Sequence, residues 1–395
     1  MSTSSKRKSL SLKFYFLYYF EKIFGLCPLN FNEKTYYISN TSVLYTILLC
    51  TVYSFFFYKN IIIRLNMIYG IENSVSAVWD RILQILQYIV IIVTWINFGF
   101  RQKKIKKIVK HFHRTSEIAE NLGIRNDNTE ICRIITNYTL IINFLYFSLF
   151  SLQLHLNIMF PSDREKFYSG INSFFRIIYH NMFFLFVSAL HIIYRRFRQL
   201  NIHVKFFKLS KISRKPLYRV LNYQISLTME KYGILHNELL DLLDNITEFF
   251  FLPMLLTMAT NFLHIVAAIN VLYLIFQKLE EFNAMLLNII FYLLMWIFII
   301  NFEFLVISSV SANLCETANN FGNCLHRMWI TYNPVNCKKI FKKVSLMVIQ
   351  RRAKVSLCGF LSMDNGFFYQ VNHSGRKLLN YKIKILQNAK LIINF

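Results

Sequence analysis

Residues 220–250 read "VLNYQISLTMEKYGILHNELLDLLDNITEFF", and this stretch decides the fold. Tyr232, Leu235, Leu239, Leu240 and Leu243 recur at three- and four-residue steps, the apolar stripe of one helix face. No internal Gly–Pro break interrupts it, and it runs directly into residues 249–276, which are mostly apolar. One helix over about 217–276 would be roughly 90 Å long, about three times the hydrocarbon thickness of a bilayer. The chain is therefore expected to cross a membrane and to project well beyond it, with Pro253 kinking the helix near the membrane entry.

The rest of the sequence agrees with a membrane class. Of its 395 residues 55% are hydrophobic and 17% aromatic, with only five prolines and ten glycines. That composition leaves too little polar material for the surface of a soluble protein of this length. A spanning helix needs about 20 mostly apolar residues, and six stretches qualify: 37–58, 75–100, 134–160, 171–194, 249–276 and 285–311. The N-terminal "FYFLYYF" is too short to cross and reads as an interfacial helix, and no small-residue cleavage site follows it.

A net charge of +25 raises the question of nucleic acid, and its placement decides against that partner. Six basic residues lie in the N-terminal arm, seven in "RQKKIKKIVKHFHR" (101–114), nine in 195–219 and eight after the sixth span. The alternate connections hold five in total: Lys59, Arg64, Arg164, Lys166 and Lys278. Such one-sided basic runs place the N-terminus in the cytoplasm, with some affinity for anionic lipid. None of the seven cysteines falls in an outer loop, so free thiols are expected. Cys315, Cys324, His326 and Cys337 lack the short spacing of a zinc site, and no metal or cofactor is expected. The sequence contains no phosphate-binding glycine loop, zinc-protease helix or nucleophile elbow, and it reads as a non-enzyme.

After the sixth span, residues 312–354 read as two helices broken at "NPVN", and 355–371 open a seventh span from the cytoplasmic side. The stretch "AKVSLCGFLSMDNGFF" (353–368) resembles the pattern with which the insect gustatory receptors begin their last helix. Cys358, Gly359, Phe360, Asp364, Phe367 and Phe368 carry that likeness. The looser pattern "YGILHNELLDLLDNITEFFFLPML" (232–255) resembles the same family ahead of its fifth span.

The resemblance implies an all-α polytopic membrane protein: a cytoplasmic arm (1–36), a six-helix bundle (37–311) with a cytoplasmic extension over about 200–248, anchor helices (312–354) and a partial seventh helix (355–371). It implies a plasma-membrane, ligand-gated, non-selective cation channel of four subunits, homo- or hetero-tetrameric with related receptor subunits. In that family the seventh helices line the pore and each subunit holds a small-molecule pocket in the outer half of its bundle. Outer-half positions that supply aromatic walls with a few polar groups are Trp79, Gln84, Gln87, Tyr88, Gln153, His155, Tyr179, His180, His264, Asn270, Tyr273, Tyr292 and Trp296. Asp80, Arg81 and Arg176 lie near the same rim, as snorkelling groups or as polar contacts of the pocket. Glu303, the only acid well inside a span, is expected to hydrogen-bond a neighbouring helix, with ion passage as the alternative.

The sequence departs from the family pattern at its end. In place of the closing Thr-Tyr and Gln-Phe motif stands "NHSGRKLLNYKIKILQNAKLIINF" (372–395), in which Lys382 and Lys384 would be costly in a pore-lining span. This tail is expected to be translated intron, and a transcript carrying it as constitutive exon would contradict that. A truncated, non-conducting or regulatory subunit is one alternative reading. A G-protein-coupled receptor requires the opposite orientation, and a secondary transporter requires an internal repeat that is not evident.

Overall fold

The computed structural model describes residues 17–32, 35–66, 74–124, 128–157, 163–206, 218–277, 284–332, 338–357 and 361–362. Residues 17–23 form a helical stretch, α1, followed by a small antiparallel hairpin, β1 (Asn30–Asn32) with β2 (Thr35–Tyr37). The long helices are α2 (Asn40–Asn66), α3 (Ser74–Phe100), α5 (Asn128–Asn157), α6 (Asp163–Lys205), α7 (Tyr218–Gln277) and α8 (Ala284–Asn319). Shorter helices gather at the end of the bundle that carries the basic connections: α4 (Gln102–Asn121), α9 (Phe321–Tyr332) and α10 (Lys338–Gln350). This end is the basic pole. Among the described residues six helices are long and apolar enough to cross a membrane.

α6 is the central helix and packs on α2, α3, α5, α7, α8 and α9. Its interior face is large and apolar, with Phe183, Phe186, Leu190, Ile193 and Phe197 all buried. The outer faces are apolar too: Leu44, Leu48 and Phe55 on α2, Tyr138 and Phe144 on α5, and Phe291 and Phe298 on α8 are exposed. Apolar residues on both faces, with polar ones turned inward, are what hydrocarbon rather than water imposes.

At 60, 43 and 36 residues, α7, α6 and α8 are about 90, 65 and 54 Å long. Each outruns a bilayer of about 30 Å and projects at the basic pole. There the acids of α7 are held from both sides. From α4, His111 and Arg114 reach Glu238 at 2.8 and 2.9 Å, and Lys104 pairs with Glu248. From α10 and just beyond, Lys343 meets Glu230 at 3.0 Å, and Arg351 forks to Asp241 and Asp244 at 2.5 Å each while bonding Asn237 at 3.0 Å. Burial works against the Arg351 charge, but the bonds to Asp244 and Asp241 outweigh it and hold its pKa above the ordinary value. The basic run at 101–114 is thus partly a clamp on α7.

Pro253 does not end α7, which stays helical through it. Proline has no N–H to give, so the carbonyl four residues earlier loses its donor. That carbonyl, on Phe249, accepts a 3.0 Å bond from Asn97 Nδ2 on α3. At the position of the missing bond, the neighbouring helix supplies a replacement donor.

The C-terminal reading needs a correction. Ser356–Leu357 and Leu361–Ser362 pair as short antiparallel strands, where a seventh helix was expected to begin at 355. The physical cause lies just before them. Asn319 accepts from the Ala353 N–H at 2.9 Å and donates to its carbonyl at 3.3 Å, holding the chain extended as it leaves α10. Cys358, Gly359, Phe360, Asp364, Phe367, Phe368 and the whole 372–395 tail lie outside the described residues.

The Pro253 repair predicts a coupling. Asn97→Leu strands the Phe249 carbonyl and lowers stability by about 1–3 kcal/mol. In a Pro253→Ala background, where an N–H returns, the same substitution costs much less. Thermal unfolding of the four detergent-solubilised proteins checks this. Equal costs in the two backgrounds would show that Asn97 does not serve Phe249.

Candidate functional site

Away from the basic pole, five helices converge on a cavity of about 240 Å³. α3 supplies Trp79, Asp80, Leu83 and Gln84, positions that share one helix face. α7 supplies His264, Ala267, Ala268 and Val271 at three- and four-residue steps, with Asn270 beside them. α8 supplies Tyr292, Leu293, Trp296, Ile297 and Ile300, a second continuous stripe. Gln153 from α5 and Arg176 from α6 complete the wall. Ala267 and Ala268 of α7 keep the side chains small on this face. Two aromatic rings of α8, an indole of α3, three amides, an imidazole and a guanidinium give mixed apolar and polar walls, the usual composition of a small-molecule site.

Beneath the cavity lies a buried polar network. Glu303 Oε1 accepts from the Tyr146 hydroxyl at 2.5 Å and lies 2.7 Å from His180 Nδ1, while Oε2 accepts from Asn261 Nδ2 at 2.8 Å. The hydroxyl of Tyr146 is also 2.6 Å from His180 Nδ1. The hydrogen-on-Nδ1 tautomer of His180 lets it donate within this cluster. These four residues come from α5, α6, α7 and α8, and Glu303 is 1% exposed. Trp296 connects the layers: its ring lines the cavity and lies 5.8 Å from the His180 ring and 6.1 Å from that of Tyr146. One turn away, Asn143 and Asn181 exchange amide bonds of 2.9 and 3.1 Å between α5 and α6.

The structure brings together Trp79, Gln84, Gln153, His264, Asn270, Tyr292 and Trp296 from the sequence candidates, with Asp80 and Arg176 from the rim. It turns others elsewhere. Gln87 is fully buried and accepts from Arg176 Nε at 2.8 Å, behind the wall. Tyr88 stacks on Phe57 and shares a 2.9 Å bond with the Ser54 hydroxyl, facing α2. Tyr179 is buried against His180, and His180 itself belongs to the Glu303 network. Tyr273 lies on α7 outside the lining, and the His155 side chain is outside the described residues. Sequence reasoning missed Tyr146 and Asn261 as the partners of Glu303, and the alanines that make the room. Among the described residues no group of histidine, cysteine and acidic side chains is placed to hold a metal.

The fold is a polytopic helical bundle with a lined pocket, the architecture of a membrane protein. The family model of the 7tm chemosensory receptors matches residues 14–371. The chain belongs to that family. Among solved structures, the insect olfactory receptor OR5 from Machilis hrabei has a similar fold, with a TM-score of 0.61 at 12% identity, covering 92% of this chain and 95% of that one. The same receptor in complex with eugenol gives a TM-score of 0.55 at 12% identity, covering 96% and 98%. No curated protein matches the sequence significantly.

The network under the cavity predicts a graded response to substitution. Glu303→Leu strands the donors of Tyr146 and Asn261, at a cost of about 1–3 kcal/mol for each. Glu303→Gln keeps the shape and one acceptor oxygen and costs less. Thermal unfolding in detergent reads both. A Glu303→Leu protein as stable as wild type would contradict the network's part in holding the four helices together.

Proposed function

We propose that this chain is a gustatory-type receptor subunit that binds a small-molecule tastant in the cavity and opens a non-selective cation pore. Four subunits, identical or mixed with related receptors, assemble the channel in the plasma membrane, and the N-terminus lies in the cytoplasm. The observation that carries this reading is the mixed aromatic and amide cavity enclosed by α3, α5, α6, α7 and α8 in a chain of chemosensory family. The eugenol complex of the olfactory receptor with a similar fold supports a small organic ligand. The charge pattern supports the orientation, because the basic connections gather at the pole opposite the cavity.

The geometry suggests how binding acts on the bundle. A ligand that touches α3, α6, α7 and α8 together favours whichever arrangement of those helices fits it best, and only that difference in affinity shifts the gate. Trp296 is placed to transmit the difference, since the same side chain meets the ligand space and the Glu303 network. A second reading, a non-conducting regulatory subunit, is favoured by one observation: residues 356–357 and 361–362 are paired strands where the pore helix would start.

Expression of the chain with an N-terminal epitope in a cell line tests the proposal. The epitope stains only after permeabilisation, and a panel of tastants evokes an inward cation current. Ala268→Trp fills the cavity and abolishes that current at equal surface expression. A current that survives Ala268→Trp unchanged would move the ligand site elsewhere, and surface-expressed protein without any current would favour the regulatory reading.

A further inference from the structure

The cavity wall contains one cationic group that the protein orients and then leaves unpaired. Arg176 Nε donates to Gln87 at 2.8 Å, and its guanidinium carbon lies 5.6 Å from the centroid of the Trp296 ring. These two contacts set the plane of the group and use one of its five donors. Among the described residues its terminal nitrogens make no hydrogen bond and no ion pair. Asp80 stands in the same wall, and no ion pair or hydrogen bond joins it to Arg176. The amides of Gln84, Gln153 and Asn270 are neutral. Two further nitrogens of the lining residues, His264 Nε2 and Trp296 Nε1, are buried with no hydrogen-bond partner in the chain. The terminal nitrogens of Arg176 are therefore the donors this wall leaves open to a ligand.

A guanidinium held among apolar walls without a counter-ion is unfavourable, and a planar anion that takes both terminal nitrogens reverses this. One cation balances one negative charge. With Arg176 the one Lys or Arg side chain in the lining, the fit is to a monocarboxylate rather than a doubly charged phosphate. We infer that the cavity takes a small organic acid, whose carboxylate pairs with the terminal nitrogens of Arg176 and whose ring or short chain lies along Trp296 and Tyr292. The volume of about 240 Å³ limits it to the size of a small aromatic or short-chain acid. This inference rests on the reading of the cavity as the ligand site.

The test compares benzoate, phenylacetate and hexanoate with their primary amides, by equilibrium dialysis against the full chain in lipid nanodiscs. The best-bound acid is expected to bind about tenfold or more tightly than its amide, as a charge-assisted bidentate contact provides. Arg176→Gln brings acid and amide to about equal affinity while the amide keeps its own, and Arg176→Lys retains part of the preference because it keeps charge without the fork. The wild-type comparison stands even where a variant folds poorly. Amides that bind as tightly as their acids, or a preference that survives Arg176→Gln, would overturn the inference. If Ala268→Trp leaves acid and amide binding both intact, the cavity is not the site, and the pocket reading falls with it.

Discussion

A carboxylate placed inside hydrocarbon must be satisfied by the protein or not be there at all, and Glu303 sets that condition for the whole bundle. Its two oxygens are met by groups from α5, α6 and α7, so those helices and α8 hold one relative position at that depth. Apolar packing alone fixes such an arrangement weakly, because lipid tails are as apolar as leucine side chains. The Asn143–Asn181 pair adds a second polar tie between α5 and α6. Above these ties the helices part around small residues of α7, and the cavity is the space that results.

The basic pole obeys a different physics. There α6, α7 and α8 leave the apolar layer and bury Tyr232, Leu239, Leu243 and Phe321 as a soluble protein would. Ion pairs from α4, from α10 and from Arg351 just beyond it line the flanks of α7. The two regimes meet near Pro253, where α7 loses a backbone bond and α3 returns one through Asn97. A continuous helix across that junction mechanically links the cavity wall at His264 to the extramembrane acids around Asp241.

Much of this was legible in the sequence, because hydropathy and charge are one-dimensional signals. The six apolar stretches, the amphipathic run before the fifth and the one-sided basic connections needed no partner to be read. The site was legible in part. Trp79, Gln84, Gln153, His264, Asn270, Tyr292 and Trp296 combine aromatic or amide chemistry with the right depth, and the structure gathers them. Tyr88, Tyr179 and His180 share that chemistry and depth, but the rotation of their helices turns them to other neighbours. Ala267 and Ala268 carry no chemical signal, since their contribution is the room they leave. Asn97 and Phe249, or Tyr146 and Glu303, meet across more than 150 residues of sequence, a distance no local pattern encodes. The expected seventh helix failed at its first residues because a side chain 34 positions away, Asn319, holds Ala353 extended.

The central claim is that the ligand space opens away from the basic pole and is closed beneath by the Glu303 network. Cysteine accessibility measures this most directly, with a small charged thiol reagent applied from outside the cell to Ala268→Cys, in the cavity wall, and to Ile307→Cys, buried one turn below Glu303. The account predicts rapid modification at 268, slowed by a bound ligand, and none at 307. Equal reactivity at the two positions, or reaction at 307 alone, would contradict it.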